Sequence, residues 1–480
     1  MSALTDRPAH ELAAMLARRE ISCRELMQAT LARIDAVNPV HNAIVSLRDD
    51  DVLLAEADAR DRAIAAEPAP AAPRSFLFGL PQAIKDIVPT AGLRSTMGSR
   101  LADHVPEVDG LLAERMKAAG CVLVGKTNTP EFGFGSHTFN EVFGATRNAF
   151  DPSKSAGGSS GGAAVALATR MLSVADGSDS MGSLRNPAGW NNVFGFRPSQ
   201  GRVPTWPAAD AWVTHFGTDG PMARTVTDLA LLLDVQAGYD ARAPLSLATE
   251  PSFAATLDTD PSTARPLRIG WLGDLGGHLA MEPGVLATCE RALQRLAGTG
   301  MGVEPVSLGF SPERIWDAWL TLRWWVNRCR IAPFLKRPAD RELVKPEALW
   351  EHDNGAALTA TDVMAASIER TAFYQHVLGL FRQVDFLALP SAQVWPFPVE
   401  ERWPKTIAGR AMDTYHRWME VVVIPTFAGL PAVSMPAGFS AAGLPMGLQL
   451  IGPPRGDLEL LRAARAYERV AADVLAVRPS

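Results

Sequence analysis

Apolar residues recur along this chain at two spacings, one helical and one strand-like. Ser22 followed by Glu25 forms a capping-box pattern, and Leu26, Leu31, Ile34 and Val37 then fall at roughly helical intervals, which predicts an opening helix. Leu111, Leu112, Arg115, Met116 and Ala119 repeat that spacing up to Gly120, and the apolar run 121–124 reads as a strand directly after it. Residues 65–73, rich in Ala and Pro, read as a loop before the apolar stretch 76–88, which Lys85 and Asp86 interrupt. Lys85 therefore sits in a strand-like setting, with its neighbour Asp86 facing the other way. Residues 163–169 read as helix, 172–175 as strand, 266–272 as strand before a helix over 283–296, and 432–435 and 447–451 as strands. Asp457 is expected to cap a final helix carrying Leu458, Leu461, Ala464 and Tyr467. No charged residue occurs over 421–454, but Pro425, Pro431, Pro436 and Pro445 break any membrane span, so buried strands and turns are expected there.

This alternation predicts an α/β fold: a large mixed, mostly buried β-sheet covered by helices on both faces. One domain over 1–480 is the expectation, its weakest joint lying at 240–266. The 480 residues carry 46 Lys+Arg against 52 Asp+Glu, a net charge of −6 that argues against nucleic acid as the main partner. Hydrophobic residues at 47% and charged residues at 20% suit a large packed core. Cys23, Cys121, Cys289 and Cys329 lie far apart, which indicates neither a disulfide framework nor a zinc site and fits a reducing cytoplasm. The first twenty residues carry Asp6, Arg7, His10 and Glu11 where an export signal would be apolar. The nine histidines, His137 and His215 among them, show no metal-ligand spacing, so no metal or cofactor is expected and a structural or pocket-lining role is.

Small residues concentrate in two loops, Ser155-Ala156-Gly157-Gly158-Ser159-Ser160-Gly161-Gly162 and Gly177-Ser178-Asp179-Ser180-Met181-Gly182-Ser183-Leu184-Arg185. Such loops can aim several N–H groups at one developing anion, with hydroxyls beside them as nucleophiles. A phosphate loop would need Gly-Lys-Ser/Thr, whereas Gly161-Gly162 leads to Ala163. Gly157-x-Ser159-x-Gly161 and its shifted frame match a nucleophile elbow, but a turn sequence precedes them where an elbow needs a buried strand. A flexible linker is the plain alternative, weakened by the apolar segment that joins the two loops.

These loops, with Gly195-Phe196-Arg197-Pro198-Ser199-x-Gly201-Arg202-Val203, resemble the amidase signature family. Gly79-Leu80-Pro81, Ile84-Lys85-Asp86, Gly125-Lys126-Thr127-Asn128, Gly220-Pro221-Met222-Ala223-Arg224-Thr225, Gly429-Leu430-Pro431-Ala432 and Gly443-Leu444-Pro445-x-Gly447-x-Gln449 extend the resemblance. It implies the amidase signature fold and hydrolysis of amides or esters through an acyl-enzyme. By position it places the nucleophile on Ser183, a bridging serine on Ser159 and the base on Lys85, with Lys126 as the lesser rival. It also implies a cis Gly158–Ser159 bond and an oxyanion hole of the Ser180, Met181, Gly182 and Ser183 N–H groups, with Asp179 and Arg185 holding the loop. A lysine base must be half-neutral at pH 7, which costs about 4.6 kcal/mol against its ordinary pKa, and Ile84, Ile87 and Val88 offer the desolvation that could supply it.

Met181 departs from the family, which usually has glycine there; either the position needs no positive φ and Met181 narrows an acyl pocket, the reading preferred, or its backbone is strained. Eight of the twelve tryptophans fall in the divergent stretch 310–420, which is expected to set substrate choice. Gly158, Met181, Trp206, Trp316 and Trp319 are the expected substrate contacts, in an apolar or aromatic-lined pocket. The expected function is an amidase acting on small-molecule amides, apolar or aryl, with esters or carbamates within reach, and neither nucleic acid nor membrane as partner. A homodimer is allowed for. The alternatives are the catalytic component of an amidotransferase that draws ammonia from glutamine, and a non-catalytic binding protein on the same scaffold.

Overall fold

The apolar stretch before Lys85 forms strand β2 (Pro81–Lys85) in the computed structural model, which describes residues 4–66, 75–213, 216–258 and 265–479. His215 and most of the 65–73 loop lie outside the described residues, the helix Asp50–Ala66 ending at the loop's start. Ser22 and Glu25 close the expected capping box, and the helix runs Cys23–His41. Strand β2 pairs in parallel with β3 (Val122–Thr127), with Lys85 opposite Thr127, and β1 (Ile44–Val45) pairs antiparallel on the far side of β3. All five residues of β2 are buried, so the sheet is covered on both faces, since neighbouring strand residues point opposite ways.

A short ribbon, β4 (Phe139–Asn140) with β5 (Gly144–Ala145), precedes the main sheet. That sheet has eight strands: β6 (Val174–Asp179), β7 (Phe194–Arg197), β8 (Thr218–Ala223), β9 (Arg268–Trp271), β10 (Gly302–Pro305), β11 (Phe386–Pro390), β14 (Ala432–Phe439) and β15 (Pro445–Ile451). A second ribbon, β12 (Thr406–Ile407) with β13 (Arg410–Ala411), lies between β11 and β14 in the chain. The order is β10-β9-β11-β15-β14-β7-β8-β6, parallel where β9 meets β10 and β11 and antiparallel elsewhere. Strands β11 and β15 are buried throughout, so the expected large mixed sheet with covered faces is present.

The helix Gly161–Ala168 packs against β3, β6 and β8 and is buried at every residue, as a helix apolar all round must be. Gly162 makes that packing close: a Cβ there would stand 2.4 Å from the Asn128 nitrogen and 2.5 Å from the Ala43 oxygen. The contact fixes the glycine-serine loop above the end of β2.

Two local expectations fail. Asp457 is the first residue of the helix Asp457–Val470 and not its cap; its buried carboxylate accepts from the Ser199 N–H at 2.7 Å and Arg202 Nε at 3.3 Å. Its acidic type is used to tie the helix to the loop after β7. The stretch 421–454 contains the helix Val423–Ala428 before its strands, because Pro425 falls in the first turn, where no N–H is required.

Replacing Gly162 with Ala should lower the stability of the protein by about 1–3 kcal/mol through overpacking. Urea denaturation measures it, and an unchanged midpoint contradicts the close packing.

Candidate active site

Strand β2 ends at Lys85, fully buried, and its Nζ meets three hydroxyls: Ser159 Oγ at 2.7 Å, Ser160 Oγ at 2.9 Å and Ser178 Oγ at 2.9 Å. Burial lowers the Lys85 pKa to about 7, against the opposing pull of Asp219, Asp176 and Asp179. The Asp176 carboxylate is turned to the Lys85 backbone N–H, at 3.1 and 3.3 Å, and gives Nζ no direct salt bridge. A neutral amine has two N–H groups and one lone pair. Ser160 already donates to the Ser178 carbonyl at 3.3 Å, so the lone pair can take a hydrogen from Ser159 or Ser178.

The loop carrying Ser159 is held on the side that leads into it. Ser155 Oγ pairs with His137 Nδ1 at 2.8 Å and accepts from the Gly157 N–H at 3.1 Å, while Thr138 donates to the Gly157 carbonyl through its N–H and Oγ1. Burial holds His137 down to about 4, so it serves this loop as a neutral ring. Gly157 has φ of +73°, and the Gly158–Ser159 peptide bond is cis. Gly158 points its N–H at Asn186 Oδ1, 3.4 Å away, and is not on the cavity wall.

The second loop winds around Asp179. Its buried carboxylate accepts from the N–H groups of Gly182 at 2.8 Å and Leu184 at 3.1 Å, from Arg185 Nε and Nη2 at 2.9 and 3.0 Å, and from Arg197 Nη1 at 3.2 Å. Burial would raise its pKa, but the Arg185 and Arg197 guanidiniums outweigh it and hold the carboxyl below the usual carboxylate range. Asp179 and Arg185 therefore hold the loop, as the resemblance implies. The positive φ falls on Gly182, at +81°, and not on Met181. Gly182 spends its N–H on Asp179, which removes it from the four expected oxyanion donors. The N–H groups of Ser180, Met181 and Ser183 meet no acceptor among the described residues.

A cavity of about 530 Å³ opens beside these loops. Ser159, Ser178, Ser180 and Ser183 line it, and Ser183 Oγ has no hydrogen-bond partner among the described residues. Of the expected contacts, Trp319 is on the wall. Met181 is buried in the core and does not narrow the pocket. Trp316 is also core, stacked on Trp319 at 5.3 Å, three residues away on the helix Pro312–Ile331. Trp206 lies between two lining residues, Thr205 and Pro207, with its own ring under Arg242 at 4.8 Å. Lys126 donates to the Val88 carbonyl at 2.6 Å and Thr90 at 2.8 Å and meets none of these serines.

Sequence reasoning assigns no role to Ser160, Ser178 or Asp219. Asp219 lines the cavity from β8, opposite Ser178 in the β6 register, so both side chains share a face of the sheet. Desolvation and the nearby Asp176 raise its pKa to about 7, against the pull of Lys85. The strand alternation around Gly-Thr-Asp-Gly is the signal that could have found it.

A family model described as amidase matches residues 25–461. The chain belongs to the amidase signature family. It is an amide-hydrolysing enzyme of that family. One component of the glutamyl-tRNA(Gln) amidotransferase of Thermus thermophilus is 36% identical over 97% of this chain and 97% of that one. An acylamidase of Rhodococcus erythropolis is 32% identical over 96% and 95%. The solved structure of a bacterial aryl acylamidase superposes on this amidase with a TM-score of 0.89, at 30% identity, over 99% of both chains. Among the described residues no helix is long and apolar enough to cross a membrane, and no group of three or more His, Cys, Asp or Glu could hold a metal.

Asp179→Ala would leave Arg185 and Arg197 buried without their carboxylate and should cost about 3–5 kcal/mol. Denaturation midpoints test this, and a loss under about 1 kcal/mol contradicts the role of the loop's central charge.

Proposed function

We propose that this amidase hydrolyses small carboxylic amides through an acyl-enzyme on Ser183, with Ser159 as bridging serine and Lys85 as base. The observation that carries the reading is the contact between the desolvated Lys85 amine and Ser159 Oγ at 2.7 Å, on the wall of the cavity that Ser183 also lines. Seating of a substrate brings Ser183 Oγ to Ser159, as catalytic hydrogen bonds often close only in the complex. Ser183 attacks the carbonyl carbon, its proton passes to Ser159, and the Ser159 proton passes to the Lys85 lone pair. The carbonyl oxygen gains the negative charge, and the N–H groups of Ser180, Met181 and Ser183 receive it. Collapse expels the amine, which takes the proton back from Lys85 through Ser159, and water then releases the acid.

The substrates are apolar or aryl amides, a choice supported by Phe132, Phe134, Phe216 and Trp319 on the cavity wall and by the likeness to the aryl acylamidase. A second reading, an amidotransferase component that needs partner chains, draws on the relatives of that name. Gel filtration with an amide assay separates the two: the isolated chain should hydrolyse aryl amides faster than small aliphatic ones. Activity that arises only with partner chains and glutamine would reverse the order of the readings.

Ser183→Ala should reduce hydrolysis at least about 10⁴-fold and abolish labelling by a serine-directed phosphonate. Labelling that survives would move the nucleophile elsewhere.

The base works when neutral, so kcat/KM should rise with pH through about 7 as Lys85 loses its proton, and level off above. Asp219→Asn removes the carboxylate that most favours the ammonium form, so the same limb should move to lower pH. A limb that stays in place would show that Asp219 does not act on Lys85.

A further inference from the structure

Arg323 lies on the helix Pro312–Ile331, one turn from Trp319, and lines the cavity with its side chain only 11% exposed. Its guanidinium is held on several sides. Nε donates to Glu351 Oε1, and Nη2 donates to the Tyr415 hydroxyl at 2.9 Å. Glu351 is fully buried, and it also accepts from Tyr415 and, at 3.2 Å, from Asn327 Nδ2. The guanidinium carbon stands 5.5 Å from the Phe134 ring centre and 4.9 Å from that of Trp319. Phe134 follows Gly133, whose position looks onto Ser159: a Cβ there would be 3.6 Å from Ser159 Oγ. The arginine thus belongs to the same wall as the reacting groups. Nη1 has no acceptor among the described residues.

A guanidinium fixed by a buried carboxylate, a phenol and two aromatic rings has its rotamer entropy already lost. Such a group offers a rigid donor, and it can only donate. Glu351 offsets its charge, so a neutral oxygen suffices as acceptor and an anion is not required. We propose that Arg323 is a substrate-binding residue whose Nη1 donates to a carbonyl-type oxygen of the substrate, separate from the scissile amide. The preferred substrates are then amides that carry a second carbonyl group. This rests on the amidase reading for its catalytic consequence and on the cavity alone for binding.

The test uses pairs of amides identical but for C=O against CH2, with the oxygen moved one carbon at a time along the acyl and amine sides. Each pair is followed by kcat/KM and by Kd from tryptophan fluorescence quenching. One position should favour the oxo compound by roughly 10–100-fold, the range of a hydrogen bond to a charged group. In Arg323→Lys, which keeps a cation beside Glu351 but loses the planar donor, that ratio should fall to within about threefold, whatever the absolute rate. The ratio is internal to each protein, so partial loss of folded material does not disguise it. A wild-type ratio near one at every position, or the same ratio in Arg323→Lys, overturns the proposal. Should none of these amides be hydrolysed, the proposed choice of small amides as substrates falls, and the Kd ratios still decide the role of Arg323.

Discussion

Desolvation of the Lys85 amine is the constraint on which the rest of the site depends. An amine in water keeps its proton at neutral pH, and one in a dry site beside a carboxylate keeps it too. Lys85 escapes both conditions. It is buried at the end of a strand covered on both faces, and Asp176, close by, spends its oxygens on the backbone N–H of the same residue. The side chain is left with hydroxyls, which can solvate the neutral form by donating to it as well as accept from the charged form.

The second loop solves the opposite problem with the opposite means. Asp179 must stay ionised while buried, so two guanidiniums and two backbone N–H groups converge on it. That knot turns the chain after β6 so that Ser180 and Ser183 reach the cavity while Gly182 takes the one left-handed backbone position. A neutral base and an ionised carboxylate lie within one α/β framework, the first with hydroxyls alone against its Nζ and the second bound directly by two guanidiniums.

Much of this can be read from the residues. The apolar run before Lys85, the apolar helix between the glycine-serine loops and the strands near the C-terminus follow from local spacing, which short buried strands and helices preserve. The family resemblance supplies the residues to compare, and Lys85 and Ser159 stand in contact. What fails depends on direction in space. Trp316 and Trp319 are three apart on one helix, yet only the second meets the cavity, and their spacing alone does not say which of them will. A side chain that replaces glycine in a loop points to a wall residue at Met181; the loop's turn, fixed by Asp179, sends it into the core instead. Asp457 has the residue type of a cap, and only the fold reveals that Ser199 and Arg202 claim its carboxylate. Arg323 gives no local signal, since its value lies in partners from the Pro346–Asn354 helix and from Tyr415.

The central claim is that Lys85 loses its proton near neutrality inside the folded protein. Lysine labelled with 13C at Cε and followed by NMR over pH 5–11 reads this directly, the Lys85 signal being the one missing from Lys85→Met. This signal should titrate at about 7. Titration near the ordinary lysine value of about 10.4 would contradict it.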